Sequence, residues 1–332
     1  MMNILFRKTR IYFIQTIAGI LIYFVCIIHP VAAEKWNFSD HYKEGDDFMK
    51  ITLLGALYIK PDNSVNKLSR EISGLAWDED EQLLYGISDD GYISHIRVNI
   101  SDGLLVDAEV INSYRLKDVN GNIRKEKDAD AEGLTIENSD NGKHGDSLLT
   151  VVLDDNTRLQ QFDTKGDFIR DITLPDKFNE MVREKGNIEV NSLAGNSHDG
   201  YFFITKEALF DDFHYIYNTR NTVDRIKYEN PEATNVVGVD LIKPDNLIIL
   251  DRKYISIIKP VLYCLRSLNL TNSKMIDLAC FNNKQGWKID NFEGVARHRG
   301  DNYFIISDDN ESILQKTLLI YLRCNECQDV SD

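Results

Sequence analysis

Short apolar and aromatic runs recur along the chain, each bounded by Gly, Asn or Asp. Examples are "SLLTVVL" at 147–153, "YFFIT" at 201–205, "NLIIL" at 246–250 and "NYFIIS" at 302–307. They have the length of strands, and turn pairs separate them: Asn141-Gly142, Asp199-Gly200 and Asp245-Asn246. Two more hairpins are legible, one turning at Asp102-Gly103 and one at Lys165-Gly166. The one helical candidate is a short segment in a connection, "DKFNEMVREKGN" at 176–187. The pattern predicts an all-β chain.

The runs are copies of one unit. "EISGLAWDEDEQLLYGISDDG" at 71–91 and "NFEGVARHRGDNYFIISDDNES" at 291–312 share a small-residue step, a polar turn, an apolar run and an acidic end. Segments beginning at 130, 190 and 236 repeat the scheme, with Gly74, Gly133, Ser192, Gly238 and Gly294 in equivalent places, 46 to 59 residues apart. Five repeats of about four strands predict a β-propeller of five blades, with six as the alternative. The last unit has room for three strands. "MKITLLGALYIK" at 49–60 precedes the first unit and supplies the fourth by pairing with 316–323, so the N-terminal strand closes the ring. This gives one propeller domain at 49–323, after a lead-in at 34–48 and before a tail at 324–332.

Charge narrows the partners. The 332-residue chain carries a net charge of -15, which argues against a nucleic-acid backbone or an anionic membrane surface. It suits a cation, or a small anionic substrate or ligand reached through one. Arg7, Lys8 and Arg10 precede an uncharged stretch at 11–28 and then "HPVAAEK", which reads as a signal peptide at 1–33 cleaved after Ala33. An uncleaved anchor is the rival. Cleavage leaves no membrane span and an exported protein, periplasmic or secreted, of open oligomeric state. The four remaining cysteines favour disulfides Cys264–Cys280 and Cys324–Cys327.

The acidic ends acquire a purpose in this fold. A hairpin sets the start of its first strand beside the end of its second, so Glu293 neighbours Asp308, Glu132 neighbours Asp154, and Ser73 neighbours Asp89. With Glu207 and Asp251-Arg252, these residues form a ring at one mouth of the central channel. Crowded carboxylates need a cation, and oxygen donors at this density suit Ca2+. The expected metal ligands are Asp89, Glu132, Asp154, Glu207, Asp251, Glu293 and Asp308. Glu132, Glu207 and Glu293 are the candidate catalytic groups. Arg252 is either an anion clamp or half of a structural salt bridge. The bland rival is that Asp-Asp-Gly and Asp-Asp-Asn simply make turns. Other chemistries fail: there is no G-x-S-x-G, no H-E-x-x-H, and the histidines make no metal spacing.

Five motifs in order resemble the bacterial phytase-like family called "esterase-like activity of phytase". They are Ser73-Gly74-Leu75 with Ser88-Asp89; Asp130-Ala131-Glu132-Gly133; Glu207-Ala208-Leu209; Leu250-Asp251-Arg252; and Asn291-Phe292-Glu293-Gly294 with Ser307-Asp308-Asp309-Asn310. The resemblance spans roughly residues 50–322. It implies a secreted propeller with phosphoester or carboxylester hydrolysis; a non-catalytic binding propeller is the alternative. The chain departs from the family pattern at Asn191-Ser192, where Glu-Gly is usual, and at Asp251, where Glu is usual.

Overall fold

The computed structural model describes residues 33–327 apart from 61–70, 126–127, 155, 210, 221, 229–233, 244, 254–260, 311 and 313–314. The expected leader lies outside these residues except for Ala33. No helix among the described residues is long and apolar enough to cross a membrane.

Ahead of the repeats come β1 (Ala33–Lys35), β2 (Asp47–Phe48) and β3 (Ile51–Ile59). Blade one is β4 (Ile72–Asp78), β5 (Leu83–Ser88), β6 (Tyr92–Ser101) and β7 (Leu104–Arg115). Blade two is β8 (Ala131–Glu137), β9 (Leu148–Leu153), β10 (Arg158–Asp163) and β11 (Phe168–Ile172). A helix, α1 (Asp176–Lys185), leads to blade three: β12 (Val190–Asn196), β13 (Gly200–Thr205), β14 (His214–Asn218) and β15 (Thr222–Ile226). Blade four is β16 (Thr234–Lys243), β17 (Asn246–Lys253), β18 (Leu262–Asn269) and β19 (Lys274–Asn282). Blade five starts with β20 (Asn291–Arg297), β21 (Asn302–Asp308) and β22 (Leu318–Cys324).

Each blade is an antiparallel meander, and the described residues form five sheets, not six. The first strands of the blades, β4, β8, β12, β16 and β20, pack side by side in a closed ring. The fifth blade is completed from the other end of the chain: β3 pairs antiparallel with β22 from Ile51↔Cys324 to Tyr58↔Leu318. The lead-in is part of the packed fold. β1 and β2 both pair with β3, and Phe38 is buried against Phe281, Trp287 and Phe292.

Five separate apolar clusters fill the seams between neighbouring blades. One joins Leu57 and Leu75 to Phe304 and Tyr321 where the last blade meets the first. α1 covers another seam, with Phe178 edge-on to Phe203 and Tyr217 at 5.1 and 5.0 Å. The repeated glycine is explained at the ring. A Cβ on Gly74 would lie 2.8 Å from the backbone nitrogen of Leu134, and one on Gly238 2.8 Å from the carbonyl of Glu293. At these two positions neighbouring inner strands approach too closely for a larger residue, whereas blade three carries Ser192 in the equivalent place.

Both expected cysteine pairs are at bonding distance. Cys264 and Cys280 are register partners on β18 and β19, S–S 2.10 Å, and Cys324 joins Cys327, S–S 2.06 Å. Cys327 is buried, so the expected tail begins inside the folded domain.

At the far end of β20, His298 is wedged beside Trp77 and Phe304, its Nδ1 2.8 Å from the Tyr321 hydroxyl. Burial, helped by Arg299, pulls its pKa down to about 4. The unfolded chain therefore takes up this proton first, near its ordinary pKa of about 6.5. The stability His298 contributes is full above that value and is lost as pH falls towards about 4. His298→Gln should flatten the loss of thermal stability across that window relative to wild type. Parallel pH profiles of the two proteins would count against a neutral, buried His298.

Candidate functional site

All five inner strands carry the same irregularity. The register of each with its neighbour slips by one residue at Ile72/Gly74, Ala131/Gly133, Val190/Ser192, Val236/Gly238 and Phe292/Gly294. The extra residues are Ser73, Glu132, Asn191, Val237 and Glu293. A β-bulge re-aims the residue it inserts. The repeat thus sets one such residue per blade around the channel, at the ends of the inner strands where the acidic motifs begin.

Around these residues the structure gathers a group of carboxylates. Donor oxygens of Asp89, Asp130 and Glu132 lie within 4.8 Å of one another. The Ser73 hydroxyl donates to Asp89 Oδ1. Asn191 Nδ2 donates to Glu132 Oε2 at 2.9 Å. Across the ring, Arg252 Nη1 donates to Glu293 Oε1 at 3.0 Å and also to Asn291 Oδ1. Asn291 Nδ2 donates in turn to Asp308 Oδ2 at 3.1 Å. Lys206 pairs with Glu189 at 2.9 Å.

The electrostatics follow from crowding in a partly dry place. Burial pushes the Asp89 carboxyl up to about 8, its Ser73 hydrogen bond opposes this, and Asp308, Asp130 and Glu293 push further upward. Glu132 is raised well above the usual carboxylate range by burial and by the charges of Asp89 and Glu293, against which Lys206 acts. Burial also raises Glu293, although the neighbouring Arg252 guanidinium pulls it down. Asp308 is raised as well, chiefly by burial. Burial alone would lower Lys206, but Glu189, Glu132 and Glu293 together outweigh it and hold the ammonium charged.

The structure distributes the expected site residues unevenly. Asp89, Glu132, Glu293 and Asp308 feel one another. Asp130, not among the expected ligands, replaces Asp154 in the group: the Asp154 amide donates to the Asp130 carbonyl at 2.9 Å, and Asp130 brings its carboxylate to Asp89 and Glu132. Glu207 is exposed, in the turn after β13. Its predecessor Lys206 is the residue coupled to the carboxylates. Asp251 is buried and turned to the other face of its strand, where Arg266 bonds both it and Asp277. Burial raises it to about 6 against the pull of Arg266. Successive residues on a strand face opposite ways, so Asp251 and Arg252 cannot both reach the ring.

Residues 69–311 match the phytase-like family, described as esterase-like activity of phytase. The chain belongs to that family. No curated protein matches it. Among solved structures, the phytase-like chain is similar to a tail fibre of a Staphylococcus aureus phage: 13% identity, 88% of this chain, 56% of that one, TM-score 0.42. It spans just over half of that longer chain. It is also similar to a duf4221-family member from Bacteroides vulgatus (8% identity, 85% and 99% covered, TM-score 0.44) and to the Neurospora crassa Pan2 WD40 domain (9%, 85% and 98%, 0.33). In this phytase-like propeller the departure at Asn191 has a defined effect: an amide stands in the bulge and holds Glu132 by a hydrogen bond.

Proposed function

We infer that this phytase-like propeller is an exported, divalent-cation-assisted hydrolase of phosphate or other small esters. The carrying observation is the convergence of Asp89, Asp130 and Glu132, whose donor oxygens lie within 4.8 Å of one another. The donor set fits a hard cation: all oxygen, crowded, and raised in pKa at Asp89 and Glu132 by burial first and by the neighbouring carboxylate charges second. Asp89, Asp130 and Glu132 would hold Ca2+, which when bound supplies Lewis-acid polarisation of an ester oxygen.

The other residues take separate parts. The Lys206 ammonium is an attraction for an anionic phosphoryl group. Glu293 has its pKa raised by burial, which suits a carboxyl that gives a proton to a leaving oxygen. Arg252, fixed by Glu293 and Asn291, orients that carboxyl and serves as a structural salt bridge more than as a free clamp. Asn191 fixes the rotamer of Glu132.

A screen of aryl phosphates and short acyl esters tests this reading. Turnover should need added Ca2+, vanish with a chelator, and fall about a hundredfold in Glu293→Gln. The amide at Asn191, where the family pattern has a carboxylate, favours the alternative of a binding propeller without chemistry. Ca2+ binding with no turnover of any ester would establish that alternative.

A further inference from the structure

At the face away from the acidic mouth, the far ends of all five inner strands and their turns enclose a cavity of about 500 Å3. We propose that this cavity is a second binding site, taking a small monoanionic carboxylate with an apolar or aromatic body. Leu75, Leu134, Leu241 and Trp77 give it an apolar part, and polar groups including Thr135, Asn196 and Asp240 make up the larger share of its lining. A concave site that offers apolar surface for a ligand's body and fixed polar groups for its orientation is suited to a small molecule.

Its cations are two arginines in different states. Arg299 is paired with Glu79 at 2.7 Å, and Glu79 also accepts from Trp77 Nε1 at 2.9 Å. That network neutralises Arg299 and locks the indole. Arg297 makes no ion pair among the described residues. Its Nε donates to the Gly300 carbonyl at 2.9 Å and its Nη1 to the Ile242 carbonyl at 2.7 Å. Two neutral acceptors thus hold the guanidinium in place and leave both hydrogens of Nη2 for a ligand. A prefixed guanidinium suits a carboxylate and loses little freedom on binding.

The nearby acids sharpen the preference. Asp240 accepts the amides of Leu241 at 2.7 Å and Arg297 at 2.6 Å, so its oxygens are engaged by backbone, although its carboxylate also feels the Arg297 charge without forming an ion pair with it. Asp140 lies at the exposed lip, where it repels a second negative group on the ligand. The site is separated from the acidic mouth by the length of the inner strands, so it stands or falls independently of the hydrolase reading.

Naphthoate, naphthalenemethanol and naphthylmethylamine share a ring system and differ in charge. Titrated calorimetrically into the full folded chain, naphthoate should bind with a Kd below about 1 mM. The alcohol and the amine should bind at least about tenfold more weakly, the loss of one charge-assisted contact. Arg297→Gln should bring naphthoate down to the alcohol's level, and Asp89→Asn should change nothing. Equal binding of the three probes by wild type overturns the proposal even where Arg297→Gln does not fold. So does a naphthoate Kd above about 1 mM, unchanged affinity in folded Arg297→Gln, or weakening by Asp89→Asn, which would put the ligand at the other mouth.

Discussion

A chain lacking residues 34–60 should not fold as a soluble monomer. β3 is the fourth strand of the fifth blade, and it buries Ile51, Leu53, Leu54, Ala56, Leu57 and Ile59. Burying a large apolar side chain is worth about 1.5–3 kcal/mol. Five such residues in β3 therefore carry roughly as much as the whole stability of a typical domain, about 5–15 kcal/mol. Removing β3 also bares β22, whose backbone pairs with it along its length, and an open apolar edge recruits other chains. Expression of the truncated chain with size-exclusion chromatography is the check. A soluble monomer with a cooperative, unshifted melt would show that ring closure does not depend on this strand.

Ca2+ should raise the melting temperature of the intact protein, and Asp89→Asn should abolish most of the rise. A ligand bound only by the folded form at a hundredfold excess over its Kd adds about 2.7 kcal/mol, or roughly 5 °C for a domain of this size. In a chelator the same substitution should act the other way. It removes a buried carboxyl that the metal-free fold must either protonate or hold charged beside its neighbours, while keeping an acceptor for the Ser73 hydroxyl, so the variant should melt higher than wild type. The crossing of the two effects separates a cation site from a merely acidic surface. Glu184→Gln, on an exposed position of α1, should leave both measurements unchanged. An equal Ca2+ shift in wild type and Asp89→Asn would remove Asp89 from the site.

The sequence carried the architecture because a propeller repeats itself: every blade restates the same small step, turn and apolar run, and the count of strands in the last unit exposes the need for β3. The mouth of the channel was legible for the same reason. The identity of its members was less so. A hairpin rule places Asp154 near Glu132, and it does lie there through its backbone, but the bulge at Glu132 brings the carboxylate of Asp130 to the group instead. No composition signal marks a bulge, although Asp130 stood in the same four-residue motif. Glu207 and Lys206 differ by one position on a strand end, which is enough to exchange inside for outside. Asp251 was open to correction by alternation alone, since only one of it and Arg252 can face the channel. The lead-in has no strand pattern of its own. Its place was set by tertiary contacts of Phe38 and Tyr42 with Trp287 that only the folded chain displays.

The repeated bulge makes the channel mouth a set of five interchangeable fittings. At each one the inserted residue stands outside the strand-to-strand ladder, so its side chain can be exchanged without rewriting the pairing on either side. This chain fits them with a hydroxyl, a carboxylate, an amide, a valine and a second carboxylate. A lineage, or a designer, can therefore move from cation site to neutral pocket by changing side chains at positions 73, 132, 191, 237 and 293, while the glycine steps and the blade seams keep the ring in one piece.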